Sequence, residues 1–277
     1  MKTWHMYLVT ITVGALCVCP AAWANQPDRI TASDSNYVRL MGKTPGEGAE
    51  NDPELAAVMK RFVYGDIVKQ TDLTDTQRHL ITTVVLAANQ NQRMLHQEVQ
   101  GALENGIKPI EIREALYQVA PYIGFPKTFE ALDTVNTVFK EKGIALPLPN
   151  AGTVTEGTRM KQGDAVQVGI YGDYIRQARA NAPADMYHIQ EDLAAFCFGD
   201  TYTRKVLDIQ MRELLTMTVL DALGTEPQLK GHIRGNIAVG NDRKLLIAAV
   251  TQALPYVGFP KTLNALRCIQ EIVPADT

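Results

Sequence analysis

The octapeptide PYIGFPKT at residues 121–128 returns as PYVGFPKT at residues 255–262, with Ile123 against Val257 as the single difference. The copies stand 134 residues apart (255 less 121), and that offset, held without a gap, matches far more than eight residues. Phe62, Gly65 and Asp66 fall on Phe196, Gly199 and Asp200, and Arg78, Leu80 and Thr82 on Arg212, Leu214 and Thr216. Gly101, Gly106 and Gln118 fall on Gly235, Gly240 and Gln252, and Ala131-Leu132 on Ala265-Leu266. Such a chain is a tandem duplication, with a period too long for a solenoid array.

Each copy reads as a set of helices. Thr74 and Gln77 form a capping box ahead of Leu80, Ile81, Val84, Val85 and Ala88 at helical spacing. Asp208 caps the matching helix, which stops at Gly224. The next helix of each copy ends at Gly106 or Gly240, and a third begins near Pro109 or Asn241. In the repeated octapeptide a glycine breaks the chain, and Pro126 and Pro260 suit the first turn of a final helix. Strand alternation is nowhere sustained, so the expected class is all-α. The octapeptide is then a turn, with Tyr122 and Tyr256 as candidate pocket-lining residues.

Residues 1–24 read as a signal peptide: Lys2 ahead of an apolar run that ends in Ala22-Trp23-Ala24. Export to a periplasm or outside the cell is therefore expected, with no membrane contact after cleavage. The remaining organisation is a polar arm at 25–50, a first unit at 51–145, a linker at 146–163 and a second unit at 164–277. Within the linker LPLPNAGTVTEGT is rich in turn formers, and Asp164 to Ala180 reads as helical. Cleavage leaves Cys197 and Cys268, in no C-x-x-C arrangement and read as buried free thiols. His79, His96, His188 and His232 have no metal-ligand spacing, so neither metal nor cofactor is expected. The formal net charge of −3 comes without a basic block, which argues against nucleic acid as a partner.

Chemistry is sought on the inner helices. In the second copy Glu213 opens one helix and His232 lies in the next, across the Gly224 turn. A carboxylate beside an imidazole is a workable acid–base pair. The same residues would also suit a solvated carboxylate favoured by the helix dipole and a structural histidine. At the first copy's equivalent positions stand His79 and Glu98, the same two types with places exchanged. Arg212, Lys230 and Arg234 are the nearby cations that could hold a substrate acid, and His96 is expected at the surface.

The REL…H spacing, the NxG stop and the LPYxGFP…NAL ending resemble the carboxymuconolactone decarboxylase family, within the alkylhydroperoxidase D-like superfamily. The resemblance covers residues 52–142 and 186–274. It implies an all-helical unit that oligomerises, and a trimer of chains if the single-unit relative is hexameric. In thiol-bearing relatives a Glu, a C-x-x-C pair and a His form the relay, and Glu213 and His232 match that Glu and His. Thr225 and Gln228 stand where the cysteines would be, which excludes a disulfide relay at those positions. The resemblance thus implies proton-transfer chemistry (decarboxylation, isomerisation or lactone opening) on a small carboxylated or lactone-like substrate. The alternative is a non-catalytic ligand-binding or scaffold oligomer that kept the fold.

Overall fold

The computed structural model describes residues 28–42 and 51–275; the signal-peptide reading at 1–24 lies outside them. The described residues are helical without a strand. In chain order the helices are α1 (Arg29–Met41), α2 (Pro53–Lys60), α3 (Val68–Gln70), α4 (Asp75–Ala88), α5 (Gln92–Glu104), α6 (Pro109–Ile123) and α7 (Phe125–Glu141). They continue as α8 (Arg159–Tyr171), α9 (Tyr174–Ala180), α10 (Tyr187–Asp192), α11 (Ile209–Leu223), α12 (Glu226–Ala238), α13 (Arg243–Val257) and α14 (Phe259–Ile272). Arg61–Ile67 and Leu193–Tyr202 are π-helical.

The duplication is visible element by element. The first residues of α11, α12, α13 and α14 each lie 134 positions after those of α4, α5, α6 and α7. The stops and starts follow local chemistry. Thr74 and Gln77 make the reciprocal capping box of α4, and the Asp208 side chain accepts from the Met211 amide at the start of α11. Gly124 and Gly258 sit at φ 81° and 82°, a region open to glycine, and Pro126 and Pro260 occupy the first turns that follow.

The structure corrects the reading of residues 25–50 as a polar arm. Residues 29–41 form α1, which lies against the π-helical stretch Arg61–Ile67 and against α5, burying Ser33, Leu40 and Met41. At the 134-residue offset Tyr37 on α1 is the counterpart of Tyr171 on α8, so α1 is the first copy's α8. The contact combines a close crossing at small residues with an apolar cluster in which Tyr37, Leu40 and Met41 meet Val63, Tyr64 and Val68. A Cβ on Gly65 would lie 3.0 Å from the Arg29 carbonyl oxygen and 3.4 Å from Ser33 Cβ.

Both copies share one apolar core. Leu80, Ile81 and Val84 of α4 and Leu214, Leu215 and Met217 of α11 are at most 1 % exposed and lie in the same cluster. Burying one such side chain stabilises the fold by roughly 1.5–3 kcal/mol. Two buried glutamines stitch the copies together. Gln252 accepts from Arg78 at 3.0 Å and donates to Thr82 at 3.2 Å. Gln118 accepts from Arg212 at 2.8 Å and donates to Thr216 at 3.2 Å. Each amide thus satisfies an arginine and a threonine of the opposite copy. The linker is docked: Arg113 donates to the Leu148 and Pro149 carbonyls at 3.0 and 2.7 Å.

Asp221 is costly to bury in this core. It is 1 % exposed, and neither carboxyl oxygen has a hydrogen-bond partner among the described residues. Burial pushes its pKa up to about 7, with Lys261 opposing. The folded state therefore holds a proton that the unfolded chain, with a carboxyl near the ordinary value of 3.8, releases earlier. Stability is expected to fall as pH rises from about 4 to about 7, by a few kcal/mol, and to level off above. Asp221→Asn should flatten that slope and raise stability at pH 8. Urea unfolding of both proteins at pH 5 and pH 8 measures it; parallel pH dependences would reject this role.

Candidate functional site

Glu213 lies at the start of the second turn of α11, fully buried, with its carboxylate turned inward. His232 of α12 meets it, Nδ1 standing 2.9 Å from Oε2, and the imidazole keeps 12 % of its side chain exposed. Two tyrosines hold the same carboxylate. Tyr202, from the π-helical stretch, donates to Oε1 at 2.7 Å. Tyr171, the last residue of α8, lies 3.1 Å from both oxygens and 2.8 Å from His232 Nδ1. With Nδ1 against the carboxylate, the neutral imidazole carries its proton there, and Nε2 is left for chemistry. Asn236 fixes the backbone by donating to the carbonyls of Glu213 and His232 at 3.0 and 2.7 Å.

Nε2 faces Tyr122, whose hydroxyl is 3.5 Å away and accepts from the Cys197 thiol at 3.3 Å. Tyr122 belongs to the first copy's octapeptide, so each unit completes the other's site. Tyr256 makes the reciprocal move: its hydroxyl bonds Thr82 of α4 and stands in the field of Glu98. Burial first, and then the Glu213 carboxylate, raise Tyr171 and Tyr202 far above the usual phenol range, so both remain donors. Burial likewise pushes the Cys197 thiol up to about 12, which keeps it protonated and poorly nucleophilic at neutral pH. The close quarters depend on Gly235, where a Cβ would come within 2.4 Å of Glu213 Oε2 and 2.9 Å of Tyr171.

The first copy has the exchanged pair in contact. His79 Nδ1 is 2.7 Å from Glu98 Oε1, and His79 is 2 % exposed. The candidate cations fare differently. Arg212 is corrected from a substrate contact to a structural residue. Its guanidinium is fully buried and donates to Gln118 and to the carbonyls of Arg204, Lys205 and Leu207. Burial lowers its pKa to about 10, still charged at neutral pH. Arg234 is exposed and, among the described residues, bonds only the Lys230 carbonyl of its own helix, at 3.4 Å, while Lys230 pairs with Glu271. His96 sits at the surface beside Glu141. Among the described residues no three His, Cys, Asp or Glu side chains cluster as a metal would require.

Sequence reasoning misses Tyr171, Tyr202, Cys197 and Gly235 as site residues. Tyr171 does carry a signal, since Tyr37 stands 134 residues earlier. Tyr202 has no such signal, because its counterpart is Val68.

The model of the carboxymuconolactone decarboxylase family matches residues 53–136 and again 188–271, together more than half of the chain. The chain belongs to the carboxymuconolactone decarboxylase family. Both matched segments carry one Glu–His pair each. Among its relatives is a 4-carboxymuconolactone decarboxylase of Acinetobacter baylyi, 29 % identical over 115 residues, covering 41 % of this chain and 86 % of that protein. A nitrosuccinic acid decarboxylase of Metarhizium robertsii is 29 % identical over 75 residues, covering 27 % of this chain and 52 % of that protein. An uncharacterized 15.0 kDa protein of Paracoccus denitrificans is 30 % identical over 86 residues, covering 30 % of this chain and 64 % of that protein. Family and relatives support a decarboxylase-like function in general terms.

Proposed function

We propose that this chain is a lyase of the decarboxylase type, acting on a small carboxylated or lactone-like acid at the Glu213–His232 site. The observation that carries the reading is the pair itself: Nδ1 held 2.9 Å from a buried carboxylate while Nε2 stands 3.5 Å from the Tyr122 hydroxyl, with 12 % of the His232 side chain exposed. When a carboxylate leaves as CO₂, its bonding electron pair remains on carbon as a carbanion or enolate. That carbon must gain a proton, and an imidazole protonated at Nε2 supplies it at hydrogen-bond range. Glu213 orients the ring and stabilises the imidazolium before transfer, while Tyr171 and Tyr202 keep the carboxylate in place. The same pair can move a proton alpha to a carbonyl, so isomerisation or lactone opening are variants of one chemistry. Export through the N-terminal segment, and assembly of several chains, belong to the same proposal.

Decarboxylation predicts CO₂ release from 4-carboxymuconolactone or a related small acid by the purified chain. Tyr122→Phe should lower kcat by roughly tenfold with thermal stability kept, since it removes one polar group beside Nε2. A scaffold reading would draw its support from the small exposure of His232. It predicts that no such acid is turned over, although ligands bind with equal affinity to the parent chain and to Tyr122→Phe.

A further inference from the structure

The duplication makes the groove that holds the linker twice, and the linker fills only one of the two. It is pinned at three places along its path. Arg113 donates to the Leu148 and Pro149 carbonyls, the Lys205 amide donates to the Ala151 carbonyl at 3.0 Å, and the Thr153 hydroxyl donates to the Thr203 carbonyl at 2.8 Å. Beside these anchors Arg204 pairs with Glu114 at 2.7 Å and lies over the Tyr117 ring. The linker is thus an extended segment held chiefly by its backbone.

At the 134-residue offset the anchors Arg113, Thr203 and Lys205 correspond to Ile247, Lys69 and Thr71, and Glu114 and Arg204 to Ala248 and Gln70. All five counterparts line one cavity of about 700 Å³. Its volume has a simple origin: shorter side chains replace the Arg204–Glu114 pair, and no described segment crosses the space as the linker does in the other half. The backbone groups that would receive a chain are open. The Thr71 amide, counterpart of the Lys205 amide, makes no hydrogen bond among the described residues, and the Lys69 carbonyl, counterpart of the Thr203 carbonyl, accepts none. Thr71 is 5 % exposed, and an unpaired amide at so sheltered a position calls for an acceptor.

Charge narrows the choice of occupant. The other charged side chains of the lining are committed: Lys244 to Asp72 at 2.7 Å, Asp242 to the Leu245 amide, and Arg243 to Gln270 and the Val273 carbonyl. Lys69 is exposed and its ammonium has no partner among the described residues. We infer that this cavity docks an extended segment of a partner protein, paired through its backbone with Thr71 and Lys69 and carrying a carboxylate for the Lys69 ammonium. Small apolar side chains of the segment meet Ile247 and Ala248. Backbone pairing supplies the affinity, and the side-chain contacts select the segment. Neither Glu213 nor His232 lines the cavity, so docking stands whichever reaction that pair performs.

Fluorescein-labelled LPLPNAGT, the sequence of residues 146–153, and the same peptide carrying Thr153→Glu test this by fluorescence anisotropy on the full chain. Thr153 meets the residue whose counterpart is Lys69, so the added carboxylate falls beside that ammonium. Both peptides are expected to bind saturably, the Thr153→Glu form about three- to fivefold more tightly, and Lys69→Glu in the protein should reverse that order. Gln70→Trp, at an exposed position of the lining, fills the space and should weaken both peptides by about tenfold or more with thermal stability kept. Glu213→Gln should leave the binding unchanged. A scrambled peptide bound equally well, no saturable binding, or binding indifferent to both Lys69→Glu and Gln70→Trp overturns the assignment. So does self-association of the chain that Gln70→Trp abolishes while no peptide binds, which gives the groove to a second copy.

Discussion

Replacing Glu213 by Gln, or His232 by Asn, is expected to lower kcat by about 10²–10⁴, with the larger share of the loss in kcat rather than KM. The two substitutions act through different atoms. His232→Asn removes Nε2, the one nitrogen of the pair that faces Tyr122, and with it the group that carries the proton. Glu213→Gln leaves the imidazole in place but sets a neutral amide against Nδ1 and against the Tyr171 and Tyr202 hydroxyls. At least one of those donors loses its acceptor, at a cost of about 1–3 kcal/mol in stability. The double substitution should cost little more than the worse single one, because the residues act as a unit. Steady-state kinetics on the three variants, with thermal unfolding alongside, checks this. Full turnover in His232→Asn would remove the acid–base role altogether.

A methyl group added at Gly163 should be the most damaging small change to the fold. At that position α8 crosses the π-helical stretch Leu193–Tyr202 so closely that a Cβ would lie 1.9 Å from the Ala194 carbonyl oxygen and 2.6 Å from the Gly199 amide nitrogen. Both obstacles are backbone, so no rotamer change relieves the overlap. Ala is the better helix former by roughly 0.8–1 kcal/mol, yet overpacking a close contact costs about 1–3 kcal/mol and more where backbone must move. The clash wins, and a net loss of about 3 kcal/mol or more is expected for Gly163→Ala. Gly169 is the internal control: it lies on the same helix, is exposed, and a Cβ there meets nothing within 4 Å. Gly169→Ala should instead stabilise by about 0.5–1 kcal/mol. Equal effects from both would show that α8 does not pack through Gly163. Since α8 ends in Tyr171, the Gly163 variant should also lose the clamp on Glu213.

Much of the architecture is legible in the sequence because it is local. The capping box at Thr74, the Asp208 cap, the Gly224 stop and the Gly–x–Pro of the octapeptide each act within a turn of chain, and each stands where its residues place it. Residues 29–41 mislead for the complementary reason. The helix RITASDSNYVRLM buries few side chains: it crosses its neighbour at Ser33 and Gly65, and its apolar contacts, Tyr37, Leu40 and Met41, gather at its C-terminal end, too few to stand out among its polar residues. Arg212 misleads because adjacency to Glu213 in sequence says nothing of direction. Successive helical residues point about 100° apart, and its guanidinium ends among the carbonyls of residues 204, 205 and 207.

By itself the sequence determined the duplication, the all-helical class and the turns, and it marked two candidate Glu–His pairs, 19 residues apart on successive helices, whose contact it left open. Those come from one-dimensional spacing and from capping chemistry that operates over a few residues. Tertiary structure alone decided that Tyr122 serves the second copy and Tyr256 the first, that Tyr202 joins the clamp where Val68 stands in the other half, and which member of each pair faces outward. Those depend on how two similar units are set against each other through close helix contacts and reciprocal glutamine bridges, an arrangement that repeats no residue and has no period to read.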